Sequence, residues 1–310
     1  MESMLKIEKF KGLVAATFTP FDQKGNLNVS IINEYCSFLG KNGVSGIFIN
    51  GTTGEGVSLS NKEKQINAAA WARAVKDTGK MRVINLVGGT SYQECIDNAL
   101  FSKECGFSAI AILAPFFFRP DEGRLAEFIA KVGESVPVMP VYFYHIPELT
   151  GVNMPVIGLL RRISGMLPNF AGIKYTAEDL MDFLSCTSFD GGKYDILWGR
   201  DECLLAALAT GAKGAVGSTY NYAAPLYHAL IKAFNEGDLD EARRLQMKSA
   251  GIVELLGKYG GIATGKAFMR YAGIDCGKFR VPVYNMSDDM YPEFVKDIKA
   301  LGIEDYFSKM

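Results

Sequence analysis

Lys174 closes the apolar run Ala171-Gly172-Ile173 and is followed at once by the polar Tyr175-Thr176. Burial disfavours the charged form of any amine. A lysine at the end of a buried strand therefore either snorkels to solvent or is held as a nucleophile towards carbonyls, whose product is a Schiff base. Tyr144 ends the aromatic run Tyr142-Phe143-Tyr144. Strand alternation turns Tyr142 and Tyr144 to one side and Phe143 to the other. A phenol beside a Schiff-base nitrogen could act as general acid and base; a core tyrosine with a satisfied hydroxyl is the simpler account. The run Gly51-Thr52-Thr53-Gly54-Glu55 exposes backbone N–H groups and adds two hydroxyls. Such a nest suits a carboxylate or phosphate, although a tight turn into the next helix explains it equally well. The Gly-Lys-Ser/Thr ending of a P-loop is missing, so a nucleotide is not expected.

Asp201 and Glu202 follow Gly199-Arg200. Acidic residues opening a helix favour its dipole, and they could equally accept hydrogen bonds from a polyol. The chain has two histidines, His145 and His228. His145 is expected to point away from the Tyr144 side, and no metal role is expected.

These groups need elements to bring them together. Apolar runs recur at Leu13–Phe18, Gly46–Asn50, Arg82–Val87, Ala109–Leu113, Val138–Tyr144, Ala171–Lys174, Asp195–Trp198 and Gly214–Gly217. Their continuous rather than alternating hydrophobicity suits a parallel sheet covered on both faces. Helix signals lie between them. Ile31, Ile32, Tyr35, Phe38 and Leu39 draw one apolar stripe. Ser60…Glu63 and Ser91…Glu94 read as capping boxes, Thr176…Asp179 as a weaker start, and Gly106 and Gly211 as helix ends.

Eight strand–helix alternations within about 235 residues predict an α/β fold, a (β/α)8 TIM barrel. A doubly wound sheet would carry a glycine-rich nucleotide turn after its first strand, and Thr17-Phe18-Thr19-Pro20 is not one. Residues 1–235 are expected to form the barrel and 236–310 a helical region packed on it. Only Val281-Pro282-Val283 there reads as strand-like. Barrel sites lie at the carboxyl ends of strands. That rule gathers Thr52, Thr53, Tyr144, Lys174, Thr176, Gly199, Asp201, Glu202 and Ser218 into one mouth.

The 310 residues are 48% hydrophobic with a formal net charge of −1. No basic stretch offers a phosphate footprint, so nucleic acid is not an expected partner. Six cysteines without a CxxC pair suit reduced thiols in the cytoplasm. Met1–Lys6 lacks the apolar core of a signal peptide. The longest apolar run, Ala109–Phe118, is broken by Pro115 and too short for a membrane span.

Four motifs then stand in the order of one family: Gly51-Thr52-Thr53-Gly54-Glu55, Tyr144-His145-Ile146-Pro147, Gly172-Ile173-Lys174 and Gly217-Ser218-Thr219. Over nearly its whole length the chain resembles the pyruvate-dependent class I aldolases related to N-acetylneuraminate lyase and dihydrodipicolinate synthase. The resemblance implies a barrel with a C-terminal helical region, a homotetramer, and catalysis by Lys174 and Tyr144 without cofactor or metal. Tyr144 to Gly151, Gly199 to Glu202 and Gly217 to Asn221 look most like the N-acetylneuraminate lyase branch. A synthase would carry arginine where Leu149 stands. The branch implies cleavage of sialic acid to N-acetylmannosamine and pyruvate. Thr52 and Thr53 would hold the carboxylate, Thr176 the amide and C4 region, and Gly199, Asp201, Glu202 and Ser218 the polyol. The competing expectations are another 2-keto-3-deoxy sugar acid aldolase, a synthase-like condensation, or a barrel that binds a keto acid without catalysis. In much of the family a neighbouring subunit supplies a tyrosine to a hydroxyl relay; here Phe116-Phe117-Phe118 stands at that place, with Phe117 nearest.

Overall fold

The computed structural model describes residues 7–79 and 81–310, so the reading of Met1–Lys6 lies outside the described residues. Among the described residues, eight parallel strands close a barrel in sequence order. They are β1 (Gly12–Ala16), β2 (Gly46–Ile49), β3 (Arg82–Leu86), β4 (Ala109–Leu113), β5 (Val141–His145), β6 (Phe170–Tyr175), β7 (Asp195–Trp198) and β8 (Gly214–Gly217). Pairing of Gly12 with Gly214 and of Leu13 with Ala215 closes the ring. The expected (β/α)8 barrel is the fold of this chain.

The helices wrapped outside begin with α1 (Ile32–Lys41), α2 (Asn61–Thr78), α3 (Tyr92–Glu104) and α4 (Glu122–Gly133). The short α5 (Pro147–Thr150) and α6 (Val156–Ile163) follow β5, and α7 (Leu180–Ser188), α8 (Leu204–Ala209) and α9 (Tyr220–Asn235) follow the last three strands. The Ile32, Tyr35, Phe38 and Leu39 stripe of α1 is buried as its spacing predicts. Ser60 and Glu63 form the full capping box, whereas at Ser91 the hydroxyl accepts the Glu94 N–H and half the box is made.

Three local expectations are corrected. The start signal at Thr176 belongs instead to Asp179, whose carboxylate accepts the Asp182 N–H and opens α7. The fifth strand begins at Val141 rather than Val138, because Met139 N–H turns back to Val136 O and Pro140 has no N–H to give. Val281-Pro282-Val283 is a turn, with Val281 in solvent. Beyond α9 the chain continues as α10 (Leu239–Lys258), α11 (Thr264–Tyr271) and α12 (Tyr291–Ala300).

Two apolar layers result. The outer one packs helices on strands; the inner one fills the barrel with Val14, Phe48, Ile84, Ala111, Tyr142, Tyr144 and Leu197. The lower end is closed by Asp195, which accepts from Phe10 N–H and Tyr142 hydroxyl, both at 2.8 Å. Burial raises the Asp195 carboxyl, and those donors only partly oppose the rise.

One irregularity aims the site. Between β5 and β6 the register slips, so that Val141 faces Phe170 while Tyr142 faces Gly172, leaving Ala171 as an extra residue. Ala171 lies in the inner layer, yet Ile173 lies in the outer one. Strict alternation from Ala171 would send Ile173 inward and Lys174 outward; the bulge reverses the phase. Gly172 permits it, since a Cβ there would stand 1.8 Å from Asp195 O. Gly172→Ala is expected to destabilise the fold by about 3 kcal/mol, as forced overpacking does. The check is a lowered urea midpoint; an unchanged midpoint would mean that β6 and β7 can part without cost.

Candidate active site

Lys174 enters the barrel from the carboxyl end of β6 and is 4% exposed. Its Nζ stands 3.9 Å from the Tyr144 ring centroid and 4.2 Å from that of Phe48. Those two rings meet edge to face with centroids 5.5 Å apart. The aromatic faces stabilise a cation without the neutralising carboxylate that would quench a nucleophile. Tyr144 is buried, and its hydroxyl lies 3.3 Å from the Thr52 Oγ1. Lysine, phenol and threonine thus form one contact chain across strands β6, β5 and the loop after β2.

That loop is held from both sides. Asn50 adopts a left-handed φ of 56° and donates to Asn85 at 2.9 Å while accepting from Asn67 at 2.8 Å. A Cβ on Gly56 would stand 1.8 Å from Asn50 O, so the turn closes only around glycine. On the other side, buried Glu55 (φ 56°) pairs with buried Lys266 of α11 at 2.9 Å. Its second oxygen accepts the Arg280 N–H at 2.9 Å. Thr53, between these clamps, is buried. Glu55 therefore serves as an anchor for the loop.

Thr176, just past β6, is buried, and its hydroxyl has no partner among the described residues. A Cβ on Gly199 would stand 1.9 Å from that hydroxyl, so the two predicted residues are in contact. Asp201 is buried in the turn after β7. One oxygen accepts the Thr219 N–H at 2.9 Å and the Thr219 hydroxyl at 2.7 Å; the other has no partner among the described residues and lies against Gly217. Glu202 is three-quarters buried, 3.5 Å from Arg200. Ser218, at the end of β8, is half-buried, and its carbonyl accepts from Asn221 at 2.7 Å.

The nine predicted residues therefore sit at one end of the barrel, though they do not make one contact set. Lys174, Tyr144 and Thr52 touch; Thr176 and Gly199 touch; Asp201 is committed largely to Thr219. Sequence reading missed Phe48, whose ring faces Lys174, and Arg200, which pairs with Glu202. The position of Phe48 inside β2, two residues before Asn50, was the available signal for the first. His145 does point outward, between Phe143 and Tyr175, and burial lowers it to about 4. Among the described residues no group of three His, Cys, Asp or Glu side chains is arranged to hold a metal. No helix there is long and apolar enough to cross a membrane.

The fold and the mouth define a (β/α)8 barrel with a buried lysine at the carboxyl end of its sixth strand. A family model described as the dihydrodipicolinate synthetase family matches residues 9–301, and the chain belongs to that family. Among curated relatives, the N-acetylneuraminate lyase of Gallus gallus is 40% identical, covering 94% of this chain and 95% of that protein. The N-acetylneuraminate lyase of Rattus norvegicus is 38% identical, over 95% of this chain and 93% of that protein. Among solved structures, the Proteus mirabilis N-acetylneuraminate lyase aligns with a TM-score of 0.91 at 35% identity, covering 95% of this chain and 99% of that one.

Burial raises the Asp201 carboxyl from 3.8 to about 6, opposed by the Thr219 hydrogen bonds and the Lys174 charge. The folded chain then keeps a proton that the unfolded chain has released. Stability from this group is greatest below the unfolded value and falls as pH rises towards 6, by about 3 kcal/mol in all. Asp201→Asn lacks the titration. The wild-type-minus-variant unfolding free energy should therefore drop by about 3 kcal/mol between about pH 3.5 and about pH 6.5. Urea unfolding across that range checks it, and a flat difference would refute the buried titration.

Proposed function

We propose that this enzyme is a carbon–carbon lyase that cleaves N-acetylneuraminate reversibly to N-acetylmannosamine and pyruvate through a Schiff base on Lys174. The observation that carries the reading is the buried Lys174 amine in contact with Tyr144, whose hydroxyl reaches Thr52. The names of the relatives in the same family supply the substrate. Leu149, where a synthase would need arginine, counts against condensation and is exposed.

In this mechanism Lys174 Nζ adds to the C2 ketone of the open-chain sugar acid. Tyr144 gives its proton to the departing hydroxyl, water leaves, and an iminium remains. The C3–C4 electron pair then flows into the iminium to form an enamine as the C4 hydroxyl proton passes to the Tyr144 oxygen. The iminium is the electron sink, so one hard step becomes several easier ones. Protonation at C3 and hydrolysis release pyruvate and free the amine. Thr52 and Thr53 hold the carboxylate, Thr176 meets the amide and C4 region, and Gly199, Asp201, Glu202 and Ser218 line the polyol tail. The Thr176 hydroxyl and the Asp201 oxygen, without partners among the described residues, suit a ligand rich in hydroxyls. Phe117 carries no proton, so water or the substrate carboxylate completes any relay.

We further infer a homotetramer in the cytoplasm. The exposed rings of Phe117 and Phe118, 78% and 85% accessible, support a second copy covering that surface. The six free cysteines support a reducing compartment. The helices from 236 onward are proposed as a region that buttresses the barrel through Lys266 and Arg280.

A metal-free coupled assay should detect pyruvate release from N-acetylneuraminate and not from 2-keto-3-deoxygluconate. Lys174→Ala should abolish both turnover and borohydride trapping of pyruvate, and Tyr144→Phe should slow turnover by roughly a hundredfold or more. Trapping that survives Lys174→Ala would sink the assignment, and release only from the second substrate would overturn the sugar.

A further inference from the structure

Arg200 reaches across the mouth of the barrel from the loop after β7. Its carbonyl accepts the Trp198 Nε1–H, which fixes the backbone from which the side chain departs. One Nη donates to Glu148 of α5 at 2.6 Å, Nε stands 3.8 Å from Glu178, and the other Nη stands 3.5 Å from Glu202. The guanidinium thus spans the ends of strands β5, β6 and β7. Its three partners differ in surroundings. Glu148 and Glu178 are about two-thirds exposed, at 66% and 65%, whereas Glu202 and Arg200 are only 25% and 26% exposed. Exposed pairs contribute little; a pair shielded on both sides holds its geometry better. The exposed carboxylates act as outer stays that stretch the planar fork over the rim, leaving one Nη for Glu202.

Arg200 is the cation paired with Glu202 among the described residues. Glu202 adjoins Asp201, and the two negative charges disfavour one another. Asp201 is fixed by Thr219, so Glu202 is the freer of the two. Without the guanidinium, Glu202 would turn away from Asp201 towards solvent. The buried Nε–H, which has no hydrogen-bond partner among the described residues, is a poor bargain for stability alone.

We propose that Arg200 is a positioning residue that holds the Glu202 carboxylate over the mouth, so that recognition of the substrate's polyol tail belongs to the Arg200–Glu202 pair. The inference rests on the sialic acid reading given above. It assigns Arg200 no contact with the keto-acid half, which is handled at Lys174, Tyr144 and Thr52. A rim clip that served stability alone would move the unfolding midpoint and leave the kinetics of long and short ligands in step.

The test uses Arg200→Met, which keeps an apolar stem, with Glu202→Gln and the double variant. KM and kcat for N-acetylneuraminate are measured beside the pyruvate concentration that half-saturates borohydride trapping. Arg200→Met should raise KM for the sugar acid roughly fivefold, with kcat changed by less than about twofold. Half-saturation by pyruvate should stay where it is in the wild type. Glu202→Gln should act alike, and the double variant should be no worse than the weaker single one. Additive losses in the double variant, or an equal shift in pyruvate trapping, would overturn the pairing. If the wild type traps pyruvate yet releases none from N-acetylneuraminate, the substrate reading itself fails, and the wild-type assay alone reveals that.

Discussion

An amine held between two aromatic faces is the constraint on which this mouth depends. Lys174 is buried against Tyr144 and Phe48 and forms no ion pair among the described residues. A carboxylate in the place of either ring would lock the amine as an ammonium in a tight pair. The rings hold the side chain folded inward while leaving its nitrogen without a carboxylate partner among the described residues. The same arrangement fixes Tyr144, because its ring is one of the two faces and its hydroxyl is thereby carried to Thr52. The positions of Tyr144 and Lys174 are one packing solution.

The loop after β2 is held by a different physics. Its glycines remove side chains so that the backbone can turn tightly, which leaves it with little packing of its own. Rigidity comes from polar anchors at either end. Asn50 is tied into a chain of buried amides through Asn67 and Asn85, and Glu55 into the buried pair with Lys266. Buried ion pairs are weak sources of net stability, yet breaking one by removing a partner is costly. Burial, with a smaller push from the Arg280 charge, lowers the Lys266 amine, and the Glu55 charge opposes that. Helix α11 is therefore joined to the site by charge as well as by packing. Gln246 and Ser249 of α10 do the same at β7, donating to Asp201 O at 3.3 and 3.1 Å. Helices beyond the barrel thus brace two of its catalytic-end loops.

The sequence by itself determined the fold class and the roster of polar groups at the strand ends. Strands buried on both faces must be apolar throughout, and eight such runs alternating with amphipathic stripes leave few topologies. Strand-end polarity then selects the site, since Lys174, Thr176, Asp201 and Glu202 interrupt otherwise apolar or helical patterns. Five strands have boundaries one to three residues from the expected ones, and Val281-Pro282-Val283 is a turn and not a strand, because short apolar runs carry no pairing partner of their own. Tertiary structure alone decided which way Lys174 points. The period-two pattern of β6, continued from Ala171, sends it outward. The bulge that turns it inward arises from the pairing of Tyr142 with Gly172 and from the approach of Asp195 O to Gly172. Phe48 facing the amine, Lys266 meeting Glu55 across 211 residues of chain, and Arg200 bridging three strand ends are likewise contacts between distant segments. A linear pattern records which face a residue prefers; only closure of the barrel brings those faces together and sets each charge beside its partner.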